Sequence, residues 1–191
     1  RQWVVLNKNN GYVHIQNGTL TAAGTKEVVY QTNGTMNITG GTFTSDAQTM
    51  AVTGGKLTLN GGEVISNGGM ALLLCNTTAA AALEMTGGTL RGVTALMFGA
   101  GAQETTGTLR ADIRGGTVTG TLQQGALPEG AALTITGGTF STDVTAYLGN
   151  NVTQIKTVDG LYLVKVYDDA TAVADGAVAK TEANDKVQYN T

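Results

Sequence analysis

The chain is short of the residues that most often carry chemistry. Among 191 residues there is one cysteine, one histidine, one proline and one tryptophan. Cys75 alone makes no intramolecular disulfide, and its place in the apolar run Met70-Ala-Leu-Leu-Leu-Cys75 marks it as a small buried hydrophobe. That run holds no cation to activate a thiol. The lone His14 excludes a multi-histidine metal site, and no Asp-x-Asp pair is present to start a calcium loop. Charged residues are 13% of the chain and the net charge is -3, so there is no basic stripe and nucleic acid is not an expected partner. No apolar stretch approaches the roughly 18 residues of a membrane-spanning helix, so no membrane span is expected. The segment Gly99-Ala-Gly101-Ala lacks the strand-to-helix setting of a phosphate cradle, and no cofactor is expected.

What the chain has instead is glycine and repetition. Its 28 glycines and few helix formers exclude a helical bundle, while 41% apolar residues suffice for a core and exclude disorder. One phrase returns six times: apolar, any, apolar, any, Gly or Asn, Gly, Thr or Glu, apolar. It reads VHIQNGTL at 13–20, MNITGGTF at 36–43, LTLNGGEV at 57–64, LEMTGGTL at 83–90, ADIRGGTV at 111–118 and LTITGGTF at 133–140. The second glycines, Gly18, Gly41, Gly62, Gly88, Gly116 and Gly138, are spaced by 23, 21, 26, 28 and 22 residues. A period of that size is one supersecondary unit stacked on copies of itself. Apolar residues recur every second position within the phrase, which is a strand period and not a helical one. The expected fold is all-β: a single-stranded right-handed parallel β-helix of about six to seven three-sided turns, closed by a C-terminal antiparallel hairpin.

The clearest turn is 52–69, where Gly-Gly falls at 54–55, 61–62 and 68–69. Three short strands, each ended by a glycine corner, make a triangular turn. Aligning the phrases gives three inward columns. They are Val13, Met36, Leu57, Leu83, Ala111, Leu133; then Ile15, Ile38, Leu59, Met85, Ile113, Ile135; and, past the corner, Leu20, Phe43, Val64, Leu90, Val118, Phe140. The intervening columns are polar: His14, Asn37, Thr58, Glu84, Asp112, Thr134, and Gln16, Thr39, Asn60, Thr86, Arg114, Thr136. That separation is what a half-buried parallel strand requires. Six rungs at about 4.8 Å give a rod roughly 29 Å long. Extra residues at 76–82, 99–106 and 123–130, the last holding Pro128, read as loops thrown out from one side.

The ends differ from the middle. Residues 1–10 read as an N-terminal capping strand with Trp3 over the top of the core, and 11–151 as the repeats. Residues 152–167 read as a capping hairpin with a type I′ turn at Asp159-Gly160, and 168–191 as a tail. The chain begins at Arg1 without methionine, so a processed or excised segment is expected. A solenoid exposes unpaired backbone at both ends. The tail is therefore expected to add a strand to a neighbouring copy or to an adjoining domain through Ala177, Val178, Ala179, Val187 and Tyr189, with a homo-oligomer or head-to-tail filament as the favoured result.

The stretch ITGGTFSTDVTAYLGNNVTQIKTVDGLYLV at 135–164 resembles the closing module of right-handed parallel β-helix (pectate-lyase-like) repeat domains. Such domains occur in secreted and cell-surface proteins of Gram-positive gut bacteria and of their phages. The matching residues are Thr139-Phe-Ser-Thr-Asp-Val144, Tyr147-Leu148 and Asp159-Gly160. The resemblance implies an extracellular, secreted or surface setting, on a cell or a virion, and brings no catalytic residues with it.

Polysaccharide lyases and hydrolases on this fold need converging carboxylates on an outward face. The one comparable group is Glu84 and Asp112, consecutive in one outward column, with Arg110 and Arg114 close by. Stacked carboxylates could raise one pKa and hold a general acid; alternatively, Arg110 and Arg114 neutralise two surface acids. Threonines at 39, 86 and 136, and at 42, 89, 117 and 139, are expected to form structural ladders from turn to turn. The function expected is a non-enzymatic structural or adhesive module of a surface protein, coat or filament, with a carbohydrate or host-surface ligand possible. The alternatives are a phage fibre or capsid-decorating protein, and a carbohydrate-active enzyme.

Overall fold

The computed structural model describes residues 3–99, 107–166, 179–183 and 186–190, the last two segments as backbone. The alternation of apolar and polar residues lays the chain out as short parallel strands, and the glycine corners wind it into a triangle. β1 (Val5–Asn7), β2 (Tyr12–Ile15) and β3 (Thr19–Ala22) make the first turn. β4 (Val29–Gln31), β5 (Thr35–Ile38) and β6 (Thr42–Ser45) make the second, and β7 (Gln48–Val52), β8 (Gly55–Leu59) and β9 (Glu63–Ser66) the third. β10 (Met70–Leu74) and β11 (Ala81–Met85) follow, and then strands begin to run round corners unbroken. β12 (Thr89–Phe98) and β14 (Ala132–Phe140) each round one corner, and β13 (Leu109–Gln124) rounds two. The result is a parallel β-solenoid of about six turns.

Its three faces stack in register. Face A runs β2, β5, β8, β11, then the first parts of β13 and β14. Face B runs β3, β6, β9, then parts of β12, β13 and β14. Face C runs β1, β4, β7, β10, then the ends of β12 and β13. Every pair in the three inward columns read from sequence is a register pair here, from Val13↔Met36 through Ala111↔Leu133 on face A and from Leu20↔Phe43 through Val118↔Phe140 on face B. Met36, Ile38, Leu57, Leu59, Leu83, Met85 and Phe43 are wholly buried. Val13, Ile15 and Leu20 of the first turn stay half-buried because no described strand lies beneath them.

The glycine pair at the corner between faces A and B has two separate causes. The second glycine takes a left-handed backbone, as at Gly62 with φ +80°. The first does not; instead, a Cβ at Gly61 would come closer than 3.0 Å to the Thr39 carbonyl oxygen of the turn below. The same collision with the preceding turn occurs at Gly40, Gly87, Gly115 and Gly137. The first turn has no described turn beneath it, and there the phrase carries Asn17 in place of the first glycine.

Face C was not marked by any phrase, and its inward column holds two buried amides. Gln31 is wholly buried, and its Nε2 donates towards Gly34 O at 3.3 Å, Gly54 O at 3.3 Å and Lys56 O at 3.1 Å. Asn7, one rung down, donates to Thr35 O at 3.1 Å and to Gln31 Oε1 at 3.4 Å. Further along the same column stand Val52, Leu74 and Phe98. The amides satisfy carbonyls that turn inward at the tight C-to-A corners of the first turns.

The ends depart from expectation in several details. β15 (Val152–Lys156) and β16 (Tyr162–Val166) form the closing hairpin, and β16 pairs antiparallel with β14 through Phe140↔Tyr162 and Gly138↔Val164. Its turn is not type I′, which needs two positive φ angles: Gly160 is at +78°, Asp159 is not, and five residues separate the last pair, Lys156↔Tyr162. Trp3 does not cover the core. It stacks on Tyr30 at 4.9 Å and 20°, and Tyr30 faces outward between buried Val29 and Gln31. The loop expected at 76–82 is shorter, because Ala81 and Ala82 already belong to β11. Residues 100–106 of the next loop lie outside the described residues.

β17 (Ala179–Ala183) and β18 (Lys186–Asn190) pair antiparallel with each other, and β18 lies against β15. Of the residues expected to mediate assembly, Ala177 and Val178 lie outside the described residues. Ala179, Val187 and Tyr189 stand on these two mutually paired strands, so one edge of each is already used within the chain.

Candidate functional site

The outward side of face A is a flat parallel surface with three polar columns. Alternation forces this: Val13, Met36 and Leu57 point inward, so their neighbours on each side point out. The first outward column reads Tyr12, Thr35, Lys56, Ala82, Arg110, Ala132. The second contains the sequence-derived carboxylates, and Glu84 and Asp112 are direct register partners, as expected.

Each carboxylate already has a cation. Arg110 donates from Nε to Asp112 Oδ2 at 2.7 Å and from Nη2 to Oδ1 at 3.1 Å, so both Asp112 oxygens are engaged. The Asp112 side chain is only 12% exposed, more covered than an outward residue of a bare sheet. Hydrogen bonding to Asp112, then its charge, raises the Arg110 pKa, and the Glu84 charge adds to this. Glu84 pairs with Lys56, Nζ to Oε2 at 2.8 Å. Lys56 takes the place expected for Arg114, whose side chain lies exposed two columns away from Arg110 on the same rung. Lys56 lies ahead of the repeated phrase, in a column to which the phrase gives no pattern, and for that reason sequence reading passed over it. Both carboxylates are thus ion-paired, Asp112 through both oxygens and Glu84 through Oε2. Among the described residues no group of three or more His, Cys, Asp or Glu side chains is placed to hold a metal ion.

The rest of the face is knit by lateral hydrogen bonds. His14 Nε2 lies 3.2 Å from Thr39 Oγ1, Asn60 Nδ2 donates to Asn37 Oδ1 at 3.4 Å, and Thr86 Oγ1 donates to Asn60 Oδ1 at 2.7 Å. The threonine ladder is therefore mixed: these hydroxyls reach the side chains of Asn and His in adjoining turns, not another threonine. Cys75 is buried, as its apolar run implies.

Beside the first outward column, along the C-to-A corner, runs an open groove of about 390 Å³. Its walls carry the amides of Asn10 and Asn33, the hydroxyls of Thr35 and Thr108, and Lys56. Gly34, Gly55, Ala80, Ala81 and Ala82 complete the lining, and a Cβ on Gly55 would strike Gly34 O. The segments 75–80 and 125–131 leave the solenoid at this same corner.

No protein-family model matches the chain, and no curated protein or solved structure matches it significantly. What is established is the parallel β-solenoid and its repeat.

Proposed function

We propose that the chain is a non-enzymatic structural and adhesive module, a stiff β-helical spacer in a secreted or surface protein, coat or filament. The observation that carries this reading is the use of the only stacked carboxylates among the described residues, Glu84 and Asp112, in ion pairs with Lys56 and Arg110. A polysaccharide-cleaving site needs one such group free to protonate a leaving oxygen and another free to act as base or nucleophile. The unbroken core columns support a mechanical role, because each turn buries its apolar side chains against the next. The extracellular setting rests on the resemblance of 135–164 to surface-module closing segments. Assembly with further copies would use the outer edge of β17, since β18 pairs with β17 and lies against β15.

The test is turnover. Purified chain incubated with polygalacturonate and with alginate is expected to release no unsaturated or reducing ends. Release that disappears in both Glu84→Gln and Asp112→Asn would overturn the reading in favour of an enzyme.

A further inference from the structure

The groove along the C-to-A corner has a chemistry of its own. Its volume of about 390 Å³ lies within the range of small-molecule sites. Asn10, Thr35 and Thr108 supply groups that both donate and accept, Asn33 offers its Nδ2 while its Oδ1 accepts from Gly34 N at 2.8 Å, and Lys56 supplies donors. Lys56 carries its counter-charge with it in Glu84, and the neighbouring Arg110 carries Asp112, so the site has no net charge to attract an anion. Beside its first rung, outside the lining itself, stands an aromatic ring. Tyr12 is the register partner of Thr35, points outward by the alternation of β2, and is 68% exposed. From Asn10 in the first turn to Thr108 at the start of the fifth rung, the lining spans four inter-strand steps of about 4.8 Å, roughly 19 Å.

Alternating hydroxyl and amide partners, no net charge, small residues in the rest of the lining and an exposed ring beside the first rung match one ligand chemistry. We propose that this groove binds a neutral oligosaccharide, with Tyr12 stacking on a sugar face and Asn10, Asn33, Thr35, Lys56 and Thr108 bonding to its hydroxyls. A nucleotide would bring phosphate charge, for which the groove has no cation without a carboxylate partner. This inference rests on the adhesive part of the proposed function and names its ligand class.

The experiment presents the purified chain to an array of cellotetraose, xylotetraose, mannotetraose, chitotetraose and trigalacturonate. At least one neutral sugar is expected to be retained, and Tyr12→Ala to weaken it about tenfold, the loss of one stacked ring. The melting temperature of that variant should stay unchanged, since Tyr12 is exposed. Thr136→Ala, on the same face but two columns and a turn or more away, is expected to leave binding intact. Retention of trigalacturonate alone, no retention of any sugar, or full affinity in Tyr12→Ala would each overturn the proposal. Failure here leaves the structural spacer standing, whereas cleavage of a bound neutral sugar would keep the groove and overturn the non-enzymatic reading.

Discussion

The corner between faces A and B makes a quantitative demand that three alanine substitutions can separate. At Gly61 the backbone is not left-handed, so alanine is acceptable to the local chain, but its Cβ would lie closer than 3.0 Å to the Thr39 carbonyl oxygen. That oxygen is backbone and has no rotamer by which to withdraw. Relief requires the two turns to part, yet the corner is clamped on both sides by Asn60 N→Ile38 O and Glu63 N→Gly41 O, each 2.8 Å. Overpacking of this kind costs about 1–3 kcal/mol, and stretching two backbone hydrogen bonds adds about 1 kcal/mol, so Gly61→Ala should cost about 2–4 kcal/mol. Gly18 is the opposite case: its φ is +106°, and a Cβ there meets nothing within 4 Å. Gly18→Ala therefore carries only the left-handed penalty of about 1–2 kcal/mol, offset in part by about 0.4–1 kcal/mol from a stiffer unfolded chain. Asn17→Ala meets neither obstacle and should stay within about 0.5 kcal/mol of the parent.

Urea unfolding followed by circular dichroism, with linear extrapolation, resolves differences of this size. In a chain of this length about 1 kcal/mol moves the melting temperature by roughly 2–4 °C, so Gly61→Ala should lower it by about 4–16 °C. The order expected is Gly61→Ala far above Gly18→Ala, and Gly18→Ala above Asn17→Ala. If Gly61→Ala is as mild as Gly18→Ala, turn-on-turn contact is not what demands the first glycine.

Other substitutions test the remaining claims. Ile38→Asp or Ile113→Asp places an unpaired carboxylate at a wholly buried position and should unfold the rod at a cost of several kcal/mol, while Thr39→Asp on the exposed column should cost well under 1 kcal/mol; equal melting temperatures would show the register to be wrong. Gln31→Ala should cost about 1–3 kcal/mol, because it strips donors from three carbonyls, and hydrogen exchange should rise at β4 and β5 before it rises at β13. Asp143 has its pKa lowered by hydrogen bonding to Thr145, so its contribution is present above the ordinary aspartate range and is lost as pH falls through the depressed value. The gap in melting temperature between the parent and Asp143→Ala should accordingly close on acidification below about pH 4, and a gap that widens there would contradict the assignment.

Faces A and B were legible because one phrase crosses both and carries its own ruler. The period of two assigns in and out, and the glycine pair fixes where the strand ends, so a one-residue slip would have put His14 and Glu84 into the core. Face C has no such marker. Its inward column changes character along its length, from Asn7 and Gln31 to Val52, Leu74 and Phe98, so amide and hydrocarbon share one structural position. Lys56 escaped for a related reason, since its column holds tyrosine, threonine, lysine, alanine and arginine in turn. Trp3 was misplaced because burial by a lone neighbouring ring, Tyr30, leaves no pattern in sequence. The hairpin existed where Asp159-Gly160 pointed, but the dipeptide could not decide between a two-residue turn and the longer one that leaves Val158 in solvent.

The location of length changes along the chain says where such a solenoid can acquire function. The corner between faces A and B cannot lengthen without breaking two clamps per turn, and it keeps three residues in all six phrases. The corner between faces C and A is free of that constraint: between β10 and β11 it holds residues 75–80, where the third turn needed only 53–54. Insertions there disturb no rung, because β11 resumes in register with β8, Leu83 against Leu57. The same corner borders the groove, and its short early turns supply Asn10 and Asn33 while its longer later ones supply Ala80 and Thr108. Wall height can therefore vary from turn to turn while the rungs stay fixed. A ligand surface on this fold is then expected beside the C-to-A corner and not the A-to-B corner, and the Tyr12→Ala and Thr136→Ala pair discriminates between those two sides of the same face.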